Sequence, residues 1–206
     1  MTQENAIREI AQLDALYGVA TPRSITKEIT HLNAEYRAFI EAAPFMAVAT
    51  VGPEGLDCSP RGENGSVVRV VDETTVQFAD RRGNNRLDTL RNIISDNRIA
   101  LLFLVPGIGE TMRINGRASI SVSPELLETF TVEGKSPKSV VEVKVDRAYF
   151  QCSKALVRSG LWDGEKLMGR GEVPSAGQML EATTADDFDA VEYDKTSELR
   201  NLDQLW

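Results

Sequence analysis

Histidine is almost missing from this chain: His31 is the only one in 206 residues. That count removes His-dependent nucleophilic triads and multi-histidine metal sites, and His31 itself reads as a helix-surface residue. Cysteine is nearly as scarce. Cys58 and Cys152 stand far apart, with no CxxC and no Cys/His spacing, which argues against structural zinc and against a disulfide scaffold. No apolar run approaches the roughly 18 residues of a membrane span, and the longest, residues 99–105, has strand length. A basic stripe is absent too. The net charge is −8, and residues 181–206 carry eight acids against two bases. Such a chain is a poor candidate for nucleic acid, and local arginine clusters on an acidic background point to a small anionic ligand. The opening MTQENAIREI lacks a basic-then-apolar profile, so no signal peptide is expected and a cytoplasmic protein is the default.

What is present suits a globular protein: 42% apolar residues and 26% charged, with no internal repeat and no low-complexity tract. The length suggests one domain with terminal extensions. Residues 1–43 read as helical. Ile7, Ile10, Leu13, Leu16 and Tyr17 recur at helical spacing up to Gly18, and Thr21-Pro22 breaks the pattern. A second helix is expected from Thr26 or Thr30 through Leu32, Tyr36, Phe39 and Ile40, ending before Pro44. From Pro44 the pattern becomes β. Strands are expected over 45–51, 56–61, 67–71, 75–79, 98–105, 111–122, 140–145 and 149–151, mostly at hairpin spacing. Pro60 marks an edge or bulge, and Ser123-Pro124 opens a short helix. Six or more sequential strands with few helices imply a closed or nearly closed antiparallel barrel over residues 44–162. Beyond Trp162 the periodicity fades into a glycine-rich loop or arm and then the acidic segment 181–206, expected to be partly helical or mobile.

The stretch FADRRGNNRLDTLRN, residues 78–92, joins the end of a strand to a helix over 86–95, with Leu87, Leu90 and Ile94 on one face. Between them Gly83 relieves the turn, and Asn84 or Asn85 caps the helix. Unpaired N–H groups at a helix start carry partial positive charge. With Arg81, Arg82 and Arg86 around them they suit a phosphate.

Several ordered segments then resemble one family: PFMAVAT at 44–50, the D-x-SPRG run ending at Gly62, and FADRRGNNRLDTLRNI at 78–93. LLFLVPGIGETMRINGRA at 101–118 and CSKALVRSGLW at 152–162 continue it. Over roughly residues 30–165 the chain resembles the pyridoxamine 5′-phosphate oxidase-like FMN-binding split barrels, in the bacterial branch of uncharacterised FMN-dependent enzymes. The resemblance implies a mainly β fold with flanking helices, a six-stranded antiparallel split barrel, and a homodimer with FMN at the subunit interface. It places Ser59 and Arg61 beside the flavin, backbone groups of Phe78, Ala79 and Asp80 along its ring, and Asn84, Asn85 and Arg86 at the phosphate. It also brings Thr111 and Arg113 to the ring from the same subunit, and Arg158 and Trp162 across from the partner. A charge-assisted hydrogen bond contributes about 1.5–3 kcal/mol and a helix terminus about 0.3–1 kcal/mol. The arginines should therefore dominate affinity and the helix end should fix orientation.

The departures bear on substrate. Oxidases acting on pyridoxamine phosphate finish with an Arg-bearing strand and use a His and Arg substrate pattern. This chain ends in ELRNLDQLW with a single histidine, which speaks against that substrate. The reading is an FMN-dependent oxidoreductase for an unidentified small molecule, with Arg113, Lys154 and Arg158 as substrate-side candidates. The flavin would carry the hydride chemistry, so no side-chain base is required. The alternative is a non-catalytic protein binding flavin, deazaflavin or haem. Haem is disfavoured by the lone histidine, although Cys58 or Cys152 offers a ligand; no other metal site is expected.

Overall fold

The computed structural model describes residues 6–184, 188–203 and 205. The first five residues, and residues 185–187, 204 and 206 of the acidic segment, lie outside the described residues. The elements are α1 (Ile10–Tyr17), α2 (Pro22–Thr26), α3 (Ala34–Glu41), β1 (Phe45–Gly52), β2 (Gly55–Gly62), β3 (Arg69–Asp72) and β4 (Thr75–Asp80). They continue with α4 (Asp88–Ser95), β5 (Arg98–Leu104), β6 (Thr111–Ser121), α5 (Pro124–Glu128), β7 (Ser139–Gln151), α6 (Lys154–Ser159), α7 (Ala176–Glu181) and α8 (Ala190–Asp203).

The expected β architecture is present with one correction. Seven strands, not six, form a single antiparallel sheet in the order β2-β1-β5-β6-β7-β4-β3, and the sheet does not close. Both outer strands are poor partners for closure: β3 has only four residues, and Pro60 on β2 has no N–H to donate. The segment between them bridges the split instead, with Glu63 N donating to Pro44 O and Val67 N to Ala43 O. A single apolar core gathers residues from every strand except β2, among them Val48, Phe78, Phe103, Ile114 and Val143, together with Ile40 of α3 and Ile93 of α4.

Residues 140–145 and 149–151 belong to one strand. The pairing of β6 with β7 shifts between Asn115 and Gly116, and this bulge interrupts the alternation that suggested two strands. A Cβ on Gly116 would meet Lys144 O at 2.1 Å, so the close approach of the two backbones there depends on glycine.

The helices also differ from expectation. α3 begins later, because Asn33 caps it by accepting a hydrogen bond from Tyr36 N. Pro22 starts α2 rather than merely ending a helix. His31 is exposed in the bend between α2 and α3, not on a helix. α4 starts at Asp88 and buries Thr89 and Ile93, while Leu87 is exposed and Ile94 is 79% exposed. The adjacent pair Ile93-Ile94 made the face ambiguous, and packing on β1, β2 and β6 selects Ile93. Ser123 and Pro124 open α5 as expected. Among the described residues no helix is long and apolar enough to cross a membrane.

Candidate functional site

A cavity of about 760 Å³ opens where the ends of β2 and β4, the turn before α4 and the start of β7 meet. It exists because of register. The β1–β2 hairpin turns at Pro53-Glu54, so residues 57–62 lie along β1 at the sheet edge. β4 pairs with β7 as far as Asp80–Ser139, which sets Lys138 beside the turn that follows β4. Eight of the expected site residues line this cavity together: Ser59, Arg61, Phe78, Ala79, Asp80, Asn84, Asn85 and Arg86.

The turn is built differently from the sequence reading. Asn85, not Gly83, takes the left-handed backbone conformation, at φ 59°, which asparagine tolerates better than most residues. Neither asparagine caps α4; Leu87 is the N-cap residue and offers no side-chain bond. Asn84 Oδ1 instead accepts from Arg86 N at 2.9 Å, an Asx turn that tightens the loop ahead of the helix.

The arginines divide by environment. Arg81 is directed away from a ligand role: it donates to Glu63 at 2.7 Å and to Phe130 O at 2.8 Å. Arg86 is exposed and donates to Asp88 at 2.5 Å. An exposed pair of this kind is worth about 0–1 kcal/mol, so Arg86 stays free to turn toward a stronger anion. Among the described residues Arg61 donates to neutral oxygens, Pro60 O at 2.8 Å and Thr89 Oγ1 at 3.3 Å. Behind it, Thr89 Oγ1 donates to Asp57 at 2.6 Å, and Ser59 Oγ donates to the same carboxylate at 3.0 Å. Asp57 and Thr89 thus orient Ser59 and Arg61, and the sequence reading missed both roles. The signal was available: Asp57 opens the D-x-SPRG run, and Thr89 is a polar residue on a helix face that must be buried. Lys138 was also missed, and it donates to Asn85 Oδ1 at 3.4 Å. Burial pushes the Asp80 carboxyl above its ordinary value, with Arg61 and Lys138 partly offsetting that.

Thr111, Arg113, Lys154, Arg158 and Trp162 do not line this cavity. Arg113 lies over the Tyr149 ring at 5.8 Å. Trp162 Nε1 donates to Ile108 O at 2.9 Å. Arg158 lies in the last turn of α6 and Lys154 begins it, both exposed. Among the described residues no cluster of His, Cys, Asp or Glu could hold a metal ion, and both cysteines are free and exposed.

The chain has the fold of known proteins. It is similar to the crystal structure of HupZ from Group A Streptococcus, with a TM-score of 0.50 and 20% identity over 59% of this chain and 95% of that one. A candidate pyridoxamine 5′-phosphate oxidase of Lactobacillus delbrueckii superposes with a TM-score of 0.47 and 18% identity, over 59% and 95% of the two chains. For an F420 reductase the values are 0.43 and 18%, over 58% and 98%. Likeness at these identities speaks to the fold alone. No match was found among curated proteins. The family profile described as pyridoxamine 5′-phosphate oxidase matches residues 32–152, which span the whole sheet and the cavity-lining turn, and the chain belongs to that family.

Proposed function

We propose that this protein binds FMN in the cavity beside Arg61 and acts as a homodimeric, FMN-dependent oxidoreductase on a small molecule. The observation that carries the reading is Arg61 itself. It is a half-buried guanidinium on the cavity wall, hydrogen-bonded among the described residues to neutral oxygens alone, in a chain of net charge −8. A fixed cation with donors left over is suited to a phosphate, and Arg82, Arg86 and Lys138 add charge on the same cavity. The volume of about 760 Å³ falls within the roughly 300–1,000 Å³ typical of ligand sites.

Bound FMN would supply the hydride or electron transfer. The chain would supply the rest. Arg61, oriented by Thr89 and Asp57, would hold the phosphate, and the buried Phe78 and Ala79 would give an apolar wall that excludes water. Asp80, with its raised pKa, would present a carboxyl held closer to neutrality than an exposed one.

The homodimer rests on a bare sheet face. Ala47, Ala49 and Val51 of β1 stand in register with Pro60, Cys58 and Leu56 of β2, and the two alanines also with Leu102 and Ala100 of β5. All are exposed or half-buried, whereas their neighbours Met46, Val48, Leu101 and Phe103 form the core. Arg113 and Thr111 continue that same face on β6. A second copy seated there would cover the apolar surface and bring this second group of expected site residues to the interface.

An absorbance spectrum of the freshly purified protein, with mass spectrometry of what heat releases, tests the cofactor. Flavin bands and an FMN mass are expected. A colourless protein whose melting temperature does not rise with added FMN would contradict the reading, because a ligand selective for the folded state must stabilise it.

A further inference from the structure

The turn that walls the main cavity has a second side. Between residues 81–85 and 135–138 lies another pocket, of about 460 Å³, lined by Arg81, Arg82, Lys135 and Lys138 and by no acidic residue. Its walls are pinned. Glu133 and Gly134 both adopt positive φ, and Val132 and Lys135 exchange backbone hydrogen bonds at 3.1 and 2.9 Å, a tight turn that fixes the start of the lysine loop. Thr131 and Ser136 hydroxyls meet at 2.7 Å across it, and Pro137 is buried. Arg81 ties this loop region to the rest by bridging Glu63 and Phe130 O.

That leaves the other three cations. Arg82, Lys135 and Lys138 form no ion pair within 4 Å among the described residues; Lys138 donates a hydrogen bond to the neutral Asn85 amide oxygen and feels the Asp80 carboxyl only through space. In a protein with eight more acids than bases, three cations around a pocket that no carboxylate lines repel one another until an anion joins them. The pocket shares Arg81, Arg82, Gly83, Asn85 and Lys138 with the main cavity, so an anion bound in it would lie next to a ligand in the cavity.

We propose that this pocket binds a second anionic group, a phosphate or carboxylate, carried either on an extension of the flavin cofactor or on a separate substrate. The inference builds on the cavity being a flavin site. Lys135 is the discriminating residue, because it lines this pocket and not the cavity.

The test compares the full-length, flavin-free protein with its Lys135→Glu variant, after thermal melts confirm that both are folded. FMN and FAD are titrated by flavin fluorescence, and inorganic phosphate is titrated calorimetrically into FMN-saturated protein. An anion on the cofactor predicts that the variant binds FAD at least about tenfold more weakly while FMN stays within about twofold. An anion on a separate substrate predicts unchanged FMN and FAD but phosphate binding at least about tenfold weaker. Loss of FMN and FAD alike would overturn the proposal, since the pocket would then hold the phosphate of FMN itself. Equal binding of all three ligands by both proteins would overturn it too, as would wild type that binds no phosphate and the same FAD as the variant. If wild type binds neither flavin, the cavity reading fails by itself. The phosphate titration, run without flavin, then still decides the pocket by whether Lys135→Glu lowers affinity.

Discussion

The inner and outer faces of the strands β1 and β5 are both largely apolar and meet opposite fates. On the inner face Met46, Val48, Leu101 and Phe103 are buried in one core with Ile40 of α3 and Ile93 of α4. On the outer face Ala47, Ala49, Ala100 and Leu102 are only part-buried, and Leu56 is 86% exposed. Helix α1 repeats the outer condition: Ile10, Leu13, Leu16 and Tyr17 keep helical spacing yet none is buried. An apolar pattern states a demand for cover and not the source of it. Small side chains on a flat outer face suit another protein layer better than water, because large exposed apolar patches are rare on monomers.

Four substitutions probe that contrast. Phe103→Ala empties a fully buried site on the inner face and should cost about 3–5 kcal/mol in denaturant unfolding. A loss below 1 kcal/mol would mean that the inner face is not the core. Gly116→Ala drives a methyl group into the Lys144 carbonyl at the bulge between β6 and β7, and a loss of about 1–3 kcal/mol is expected from the same measurement. Ala49→Glu on the outer face should change the stability of the isolated chain by less than about 0.5 kcal/mol yet abolish dimerisation in gel filtration. A dimer that survives the charge would remove the outer face from the interface.

The smallest effect is expected at Asp80, on the wall of the main cavity. Its folded pKa is raised above the unfolded value, so the native state holds the proton more tightly. Stability therefore falls as pH rises through the window above the unfolded carboxylate value of about 3.9. Asp80→Asn should flatten that decline and stabilise the protein slightly at neutral pH. An unchanged pH profile of melting temperature would show that Asp80 is not desolvated.

Much of this was legible in the sequence where one physical rule dominates. The β1–β2 hairpin, β5 and β6 announce themselves by alternation, and Ser123-Pro124 by capping chemistry. The errors arose where two rules compete. A bulge at Asn115 and Gly116 broke the alternation of β7 into two apparent strands, and a pair of adjacent isoleucines left the buried face of α4 undecided. Eight of the expected site residues fall on one cavity because they come from two contiguous motifs joined by local geometry. Thr111, Arg113, Arg158 and Trp162 come from the other side of the sheet and from α6 and its following turn, and motif order alone says nothing of which face a residue occupies. The supporting pair Asp57 and Thr89 stayed hidden because their bond spans 32 positions.

The central claim is that Arg61, more than the exposed Arg86, holds an anionic cofactor in the cavity. The direct measurement is an FMN titration of wild type, Arg61→Ala and Arg86→Ala under one set of conditions, with melting curves confirming the fold. The account predicts that Arg61→Ala lowers FMN affinity by at least about tenfold, with a smaller loss for Arg86→Ala because Asp88 already competes for that side chain. Wild-type affinity in Arg61→Ala would contradict it.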